Sequence, residues 1–168
     1  MIKPRAPRRF GSKEWGSSRV QRIHPGLLLV ATLGAAGLGE RLAPLHLPAA
    51  IGETGSAVAL GLLAGAVCLG AWAARTMRSV DTPIEPGLLP RALVVTGPFR
   101  YTRNPLYLAL LQVSGAFTAL TASLWFAVGT AAIGVALNGY VIPREERELA
   151  ELFGDKYEHY VRRVRRWL

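Results

Sequence analysis

Seven side chains hold most of this chain's capacity for polar chemistry: Arg100, Tyr101, Arg103, Asn104 and Tyr107 in "RYTRNPLY", and Glu145 and Glu146 in "VIPREERE". Two guanidiniums three residues apart can grip a carboxylate, glutamates can accept from an amine or a ribose hydroxyl, and Tyr101 or Tyr107 can stack on a flat base. Neighbouring helix residues point about 100° apart, so one glutamate is expected to face a helix bundle and the other solvent or a basic partner. A plainer reading stands beside this one. An acidic helix start is favoured by the macrodipole, and Arg103 and Glu146 can simply lock two elements together, with the tyrosines in an aromatic belt.

The sequence between these groups says how they are positioned. From Asn104 to Pro143 there is no Asp, Glu, Lys or Arg. Forty helical residues would extend about 60 Å, twice the roughly 30 Å of a bilayer's apolar core, so the run is expected to be two helices. "TALTAS", Thr118 to Ser123, is the natural break, because its hydroxyls can satisfy backbone groups where the chain reverses. The resulting hairpin brings "RYTRNPLY" and the glutamates to the same end.

Thr54 to Ala74 is a further uncharged stretch, and Pro25 to Gly39 a shorter one that can continue through Glu40 and Arg41 to Leu47. The expected fold is therefore all-α: a polytopic membrane helix bundle of about four transmembrane helices, near 25–47, 54–74, 105–120 and 122–142, with amphipathic C-terminal helices on the cytoplasmic side. Basic residues number seven in residues 1 to 24, one between the first two spans, five from Arg75 to Arg103 and seven after Pro143. That asymmetry places both termini in the cytoplasm, and a bacterial or archaeal inner membrane is the expected location. It also accounts for the net charge of +9 without nucleic acid, for which no binding motif is present.

Residues 1–24 read as a basic, disordered arm and 25–168 as one membrane domain. The apolar run from Leu27 exceeds a signal core of about 7 to 15 residues and lacks a small-x-small cleavage site, so it reads as a retained helix. Cys68 is expected to be a buried small hydrophobe, and the dispersed His24, His46 and His159 suggest no metal site. Gly61 and Gly65 suit close helix packing within the bundle, or else dimerisation. The glycines at 34, 37 and 39 lack the order of a dinucleotide fingerprint. Prolines at 83, 86, 90, 98 and 105 forbid a continuous helix between the second and third spans, where "LVVTGPF" is expected to be extended. Beyond Pro143, Leu149, Leu152, Phe153, Tyr157, Tyr160, Val161, Val164 and Trp167 recur every three or four residues. This marks an amphipathic helix, broken at Gly154 and restarted with Asp155 as N-cap and Glu158 completing a capping box. Trp167 is expected to be an interfacial anchor.

S-adenosylmethionine carries a carboxylate, an amine, a ribose and a flat base, matching the groups at the hairpin's open end. "GPFRYTRNPLYLAL" followed by "EERELAELFGDKYEHYVRRVRRWL" resembles the isoprenylcysteine carboxyl methyltransferase and phospholipid methyltransferase family of membrane enzymes, over roughly residues 85 to 168. Gly97, Pro98, Phe99, Arg100, Tyr101, Arg103, Pro105 and Tyr107, then Glu145, Glu146, Leu149, Phe153, Gly154, Tyr157 and Tyr160, match that family's two ordered motifs. The resemblance implies S-adenosylmethionine as cofactor and methyl transfer to a lipophilic acceptor entering from the bilayer: an isoprenylcysteine-like carboxylate, a phospholipid amine or a related small molecule. It implies a cofactor pocket lined by Arg100, Tyr101, Arg103, Asn104, Pro105, Tyr107, Glu145 and Glu146. The helices of 144–168, with Phe153, Gly154, Tyr157 and Tyr160, would cover it. Arg103 and Glu146 are the expected catalytic pair, for orienting charge and for proton removal. Asn104 departs from the family's usual histidine; it can hydrogen-bond but not titrate near neutrality. Two alternatives remain: an NADPH-dependent enzyme like the sterol reductases, and a non-catalytic scaffold whose basic arms bind anionic lipid.

Overall fold

The structure is a computed structural model that describes residues 24–82, 90 and 92–168. The basic arm, apart from His24, and residues 83–89 and 91 of the proline-rich stretch lie outside those residues. The described residues are helical, with a single isolated β-bridge. In chain order the helices are α1 (Pro25–Leu42), α2 (Ala49–Arg78), α3 (Pro105–Thr121), α4 (Leu124–Ala136), α5 (Ile142–Phe153) and α6 (Asp155–Val161). A 3-10 turn, Gly97–Arg100, precedes α3, and a π-helical turn, Leu137–Val141, joins α4 to α5.

Two helical stretches, Thr54–Arg78 and Leu124–Phe153, are long and apolar enough to cross a membrane, and only 17% of the most apolar window of each is buried. A soluble core helix would be mostly buried. Here Leu60, Val67, Val128 and Val135 point outward, as side chains facing lipid would. α3 is a shorter apolar helix of 17 residues, about 26 Å long. α1 stops at Leu42, so the expected continuation to Leu47 is not helical. Cys68 is exposed rather than buried, because it lies on the outward face of α2 beside Val67.

Small residues set the packing. α3 lies against α2 and α4, and α4 against α1, each pair antiparallel. Gly55 of α2 meets the Ala119 carbonyl, Gly65 the Gln112 amide and Gly70 the Ala109 methyl. Between α1 and α4, Gly39 lies under the Trp125 ring and Gly129 against Thr32. Gly65 thus packs within the bundle, whereas a side chain at Gly61 would meet open space. Ser114, Thr118 and Thr130 share hydroxyl bonds of 2.8 and 3.2 Å between α3 and α4, a kind of interhelical bond worth about 0.6 kcal/mol each in a membrane.

The hairpin turn falls at the end of "TALTAS". α3 runs to Thr121, Ala122 takes φ +47°, and Ser123 precedes α4. The segment after α1 closes this end: Leu47 N–H donates to the Ala122 carbonyl and Leu124 N–H to the Leu45 carbonyl. Ser123 Oγ donates to Glu40 at 2.5 Å, with His46 Nδ1 3.5 Å from the same carboxylate. Glu40, a charge the sequence left near a span, is therefore paired. An alanine at positive φ costs about 1–2 kcal/mol, so Ala122→Gly should raise the melting temperature of detergent-solubilised protein.

The helix that begins at Leu124 does not end at Pro143. Helix continues from Leu124 to Phe153, and proline is accommodated by widening the turn before it. Pro143 has no N–H, and its ring would crowd the carbonyl four residues back. Ile142 N–H accordingly reaches the Leu137 carbonyl, five residues away. Continued by one residue, this register would pair the Asn138 carbonyl with Pro143, which has no N–H to donate.

Candidate active site

The end of the bundle opposite Ser123 is built from four pieces: the 3-10 turn and the following residues 101–104, the start of α3, the start of α5, and the chain from α6 to Leu168. The 3-10 turn is held from two sides. Gly97, at φ +58°, lies so close to Thr76 and Trp72 of α2 that a Cβ would strike the Thr76 hydroxyl. Tyr160 of α6 donates to the Phe99 carbonyl at 2.8 Å. The expected extended strand in "LVVTGPF" is absent: residues 93–96 have no regular structure, and glycine and proline wind the rest into the turn. Pro105, fully buried, starts α3, where its missing N–H costs nothing.

Hairpin closure brings the two polar groups together as expected. Glu146 lies 3.0 Å from Arg103 Nη2 and accepts from Arg166 Nε at 3.2 Å and Nη2 at 2.6 Å. The Arg103 and Glu146 side chains are only 12% and 19% exposed, so this pair is shielded far more than a surface bridge. Glu145, turned by one residue, accepts from the Tyr107 hydroxyl at 2.5 Å. Glu145 thus faces the bundle at Tyr107 and Glu146 faces basic partners, as the offset between neighbouring helix residues predicts. Tyr107→Phe should lower stability by about 1.5–3 kcal/mol, the usual worth of a hydrogen bond to a charge, read as a drop in melting temperature.

Asn104 spends its amide on the chain terminus: Nδ2 donates to the Arg166 carbonyl at 2.9 Å, beside Thr102 Oγ1 at 3.1 Å. The N–H of Arg103 donates to the Arg165 carbonyl at 3.0 Å. Arg166 Nη1 reaches Asn138 Oδ1 at 3.1 Å and its carbonyl at 3.4 Å, and Trp167 Nε1 donates to the same Oδ1 at 3.1 Å.

Tyr157 is buried beside this cluster; burial first, then the Glu146 charge, push its phenol pKa up, while Arg103 opposes the shift. Burial raises the Tyr160 phenol likewise. Both phenols stay protonated. The carboxylate of Glu146 raises the Arg166 guanidinium, chiefly through their hydrogen bond. Arg103 and Arg166 share the Glu146 carboxylate, and Arg103 Nε is buried without a hydrogen-bond partner.

The other expected residues are placed differently. Tyr101 is exposed and tilts against Trp72 with centroids 6.3 Å apart. Arg100 lines an open groove with Leu93, Val95, Lys156, His159 and Arg163. Phe153 is half-buried at the end of α5, and Gly154, at φ +50°, supplies the turn into α6. Asp155 is the first residue of α6, and its side chain caps nothing; Gly154 holds the cap position, so the capping box does not form. Helix ends at Val161 instead of continuing through Trp167. Trp167 folds back against the core of Ile133, Leu137, Val141 and Ile142. Among the described residues no cluster of His, Cys, Asp or Glu could hold a metal.

Sequence reasoning missed Thr102, Asn138 and Arg166. Asn138 had a signal, as a lone amide inside an apolar run. Arg166 had none, being one of four arginines in "RRVRR".

An apolar helical bundle whose long helices leave most of their apolar surface exposed is the architecture of a membrane protein. The family model described as phospholipid methyltransferase matches residues 54–156, and the chain belongs to that family. An uncharacterized protein of Haemophilus influenzae is 40% identical over 68 residues, 38% of this chain and 100% of that relative. No solved structure matches the chain.

Proposed function

We propose that this protein is an S-adenosylmethionine-dependent methyltransferase acting on a lipophilic acceptor drawn from the membrane. Its four helical spans would place both termini in the cytoplasm, and residues 25–168 would act as one unit. The observation that carries the reading is the shielded contact between Arg103 and Glu146, which joins the family's two motif halves at one point.

The residues suit the cofactor. The buried Arg103 Nε, which has no hydrogen-bond partner, favours a carboxylate, and the neutral Tyr157 and Tyr160 offer aromatic cover. Asn104, Pro105, Tyr107, Glu145 and the Phe153–Gly154 turn would complete the pocket walls, with Arg100 and Tyr101 at its rim. Bound S-adenosylmethionine would supply a sulfonium methyl for in-line displacement. The chain's tasks are then alignment and exclusion of water.

Glu146 already accepts from two guanidiniums, so holding them in place is the role its contacts favour over proton removal. A carboxylate or thiolate acceptor, which brings no proton to remove, matches a glutamate so engaged. Isothermal titration of the detergent-purified protein with S-adenosylmethionine and with NADPH tests the reading. Binding of the first is expected; binding of NADPH alone would point to a reductase, and binding of neither to a scaffold.

A further inference from the structure

Arg166 touches three separate pieces of the candidate site at once. Its carbonyl accepts from Thr102 Oγ1 and Asn104 Nδ2, its Nε and Nη2 hold Glu146 of α5, and its Nη1 reaches both oxygens of Asn138 in the π turn. Each contact answers a local need. Pro143 has no N–H to offer the Asn138 carbonyl, and Arg166 donates to that carbonyl from a side chain. Glu146 would otherwise have Arg103 alone. Asn104, just ahead of Pro105, has no turn of helix before it to take its amide.

We propose that Arg166 is a positioning residue, and that the C-terminal segment 162–168 is a clasp that sets the distance between the 102–104 turn and α5. This rests on the reading of the site given above. The clasp reaches the cofactor groups only through Arg103, Asn104 and Glu146, so its loss should alter how well those groups are placed while the bundle stays folded. Trp167 seats the clasp, with its ring on the Ile133–Ile142 core and its Nε1 on Asn138. Asn104 acquires a role that needs donation rather than titration, and a histidine N–H can donate as well. A planar fork is required at 166, since lysine cannot bond Glu146 twice and Asn138 together.

The test uses the full-length protein in detergent with Arg166→Gln, Arg166→Lys, Asn104→Leu and Asn104→His. Cofactor affinity is read by titration, and hydrogen exchange is followed along the chain. Losing several bonds to charged groups should weaken S-adenosylmethionine about tenfold or more in Arg166→Gln, with Arg166→Lys between it and wild type. Exchange should rise in 102–104 and 162–168 and stay unchanged in α2, α3 and α4. Asn104→Leu should loosen the same two segments and Asn104→His should not. Wild-type affinity in Arg166→Gln, or exchange that rises across α2, α3 and α4 as well, would overturn the proposal. If the wild type binds no S-adenosylmethionine, the functional reading fails separately. The exchange pattern then decides the clasp by itself: loosening confined to the two segments upholds it, and any other pattern overturns it.

Discussion

Glu146→Gln is expected to eliminate cofactor binding and to destabilise the protein more than Arg103→Gln does. The asymmetry follows from the count of charges. Removing Arg103 leaves Glu146 with Arg166, still a neutral pair, whereas removing the Glu146 charge leaves two guanidiniums facing each other in a partly closed space. Stranding a buried charge costs about 3–5 kcal/mol, and since Glu146 retains some exposure the lower end is the appropriate figure. Melting temperatures of the two variants in detergent measure the stability difference, and titration with S-adenosylmethionine measures the site. Equal melting temperatures would mean that solvent already screens the cluster. Undiminished affinity in both variants would remove the pair from the site.

Gly55→Ala should produce the largest purely structural effect. Its Cβ would meet the Ala119 carbonyl oxygen, a backbone atom that cannot rotate away, so α2 and α3 must separate. Overpacking of this kind costs about 1–3 kcal/mol. Gly61→Ala, on the same helix with open space before it, should instead gain up to about 1 kcal/mol from helix propensity. Thermal unfolding of the two variants in one detergent tests the contrast. A stable Gly55→Ala protein would contradict the close α2–α3 approach.

The hairpin was legible because forty uncharged residues cannot be one span, and its turn fell where the hydroxyls cluster. The meeting of Arg103 with Glu146 followed from the hairpin, and that of Tyr107 with Glu145 completes it. Pro143 misled for a physical reason. Proline usually ends a helix, but one widened turn let this helix continue and carry both glutamates on the axis of α4. The tail misled because a 3.6-residue pattern in 157–167 satisfies a helix equally well as a strap whose apolar side chains return to the core. Periodicity records which side chains are buried, not what buries them. Cys68 illustrates the same limit, for an apolar residue in a membrane span is as much at home facing lipid as facing protein.

Transfer of labelled methyl from S-adenosylmethionine, followed into the lipid, protein and volatile fractions of membrane vesicles, addresses the central claim most directly. Vesicles containing the wild-type protein should accumulate label in one of these fractions, and vesicles containing Glu146→Gln should accumulate none above background. Absence of transfer by the wild type to every fraction, or equal transfer by the two proteins, would contradict the account.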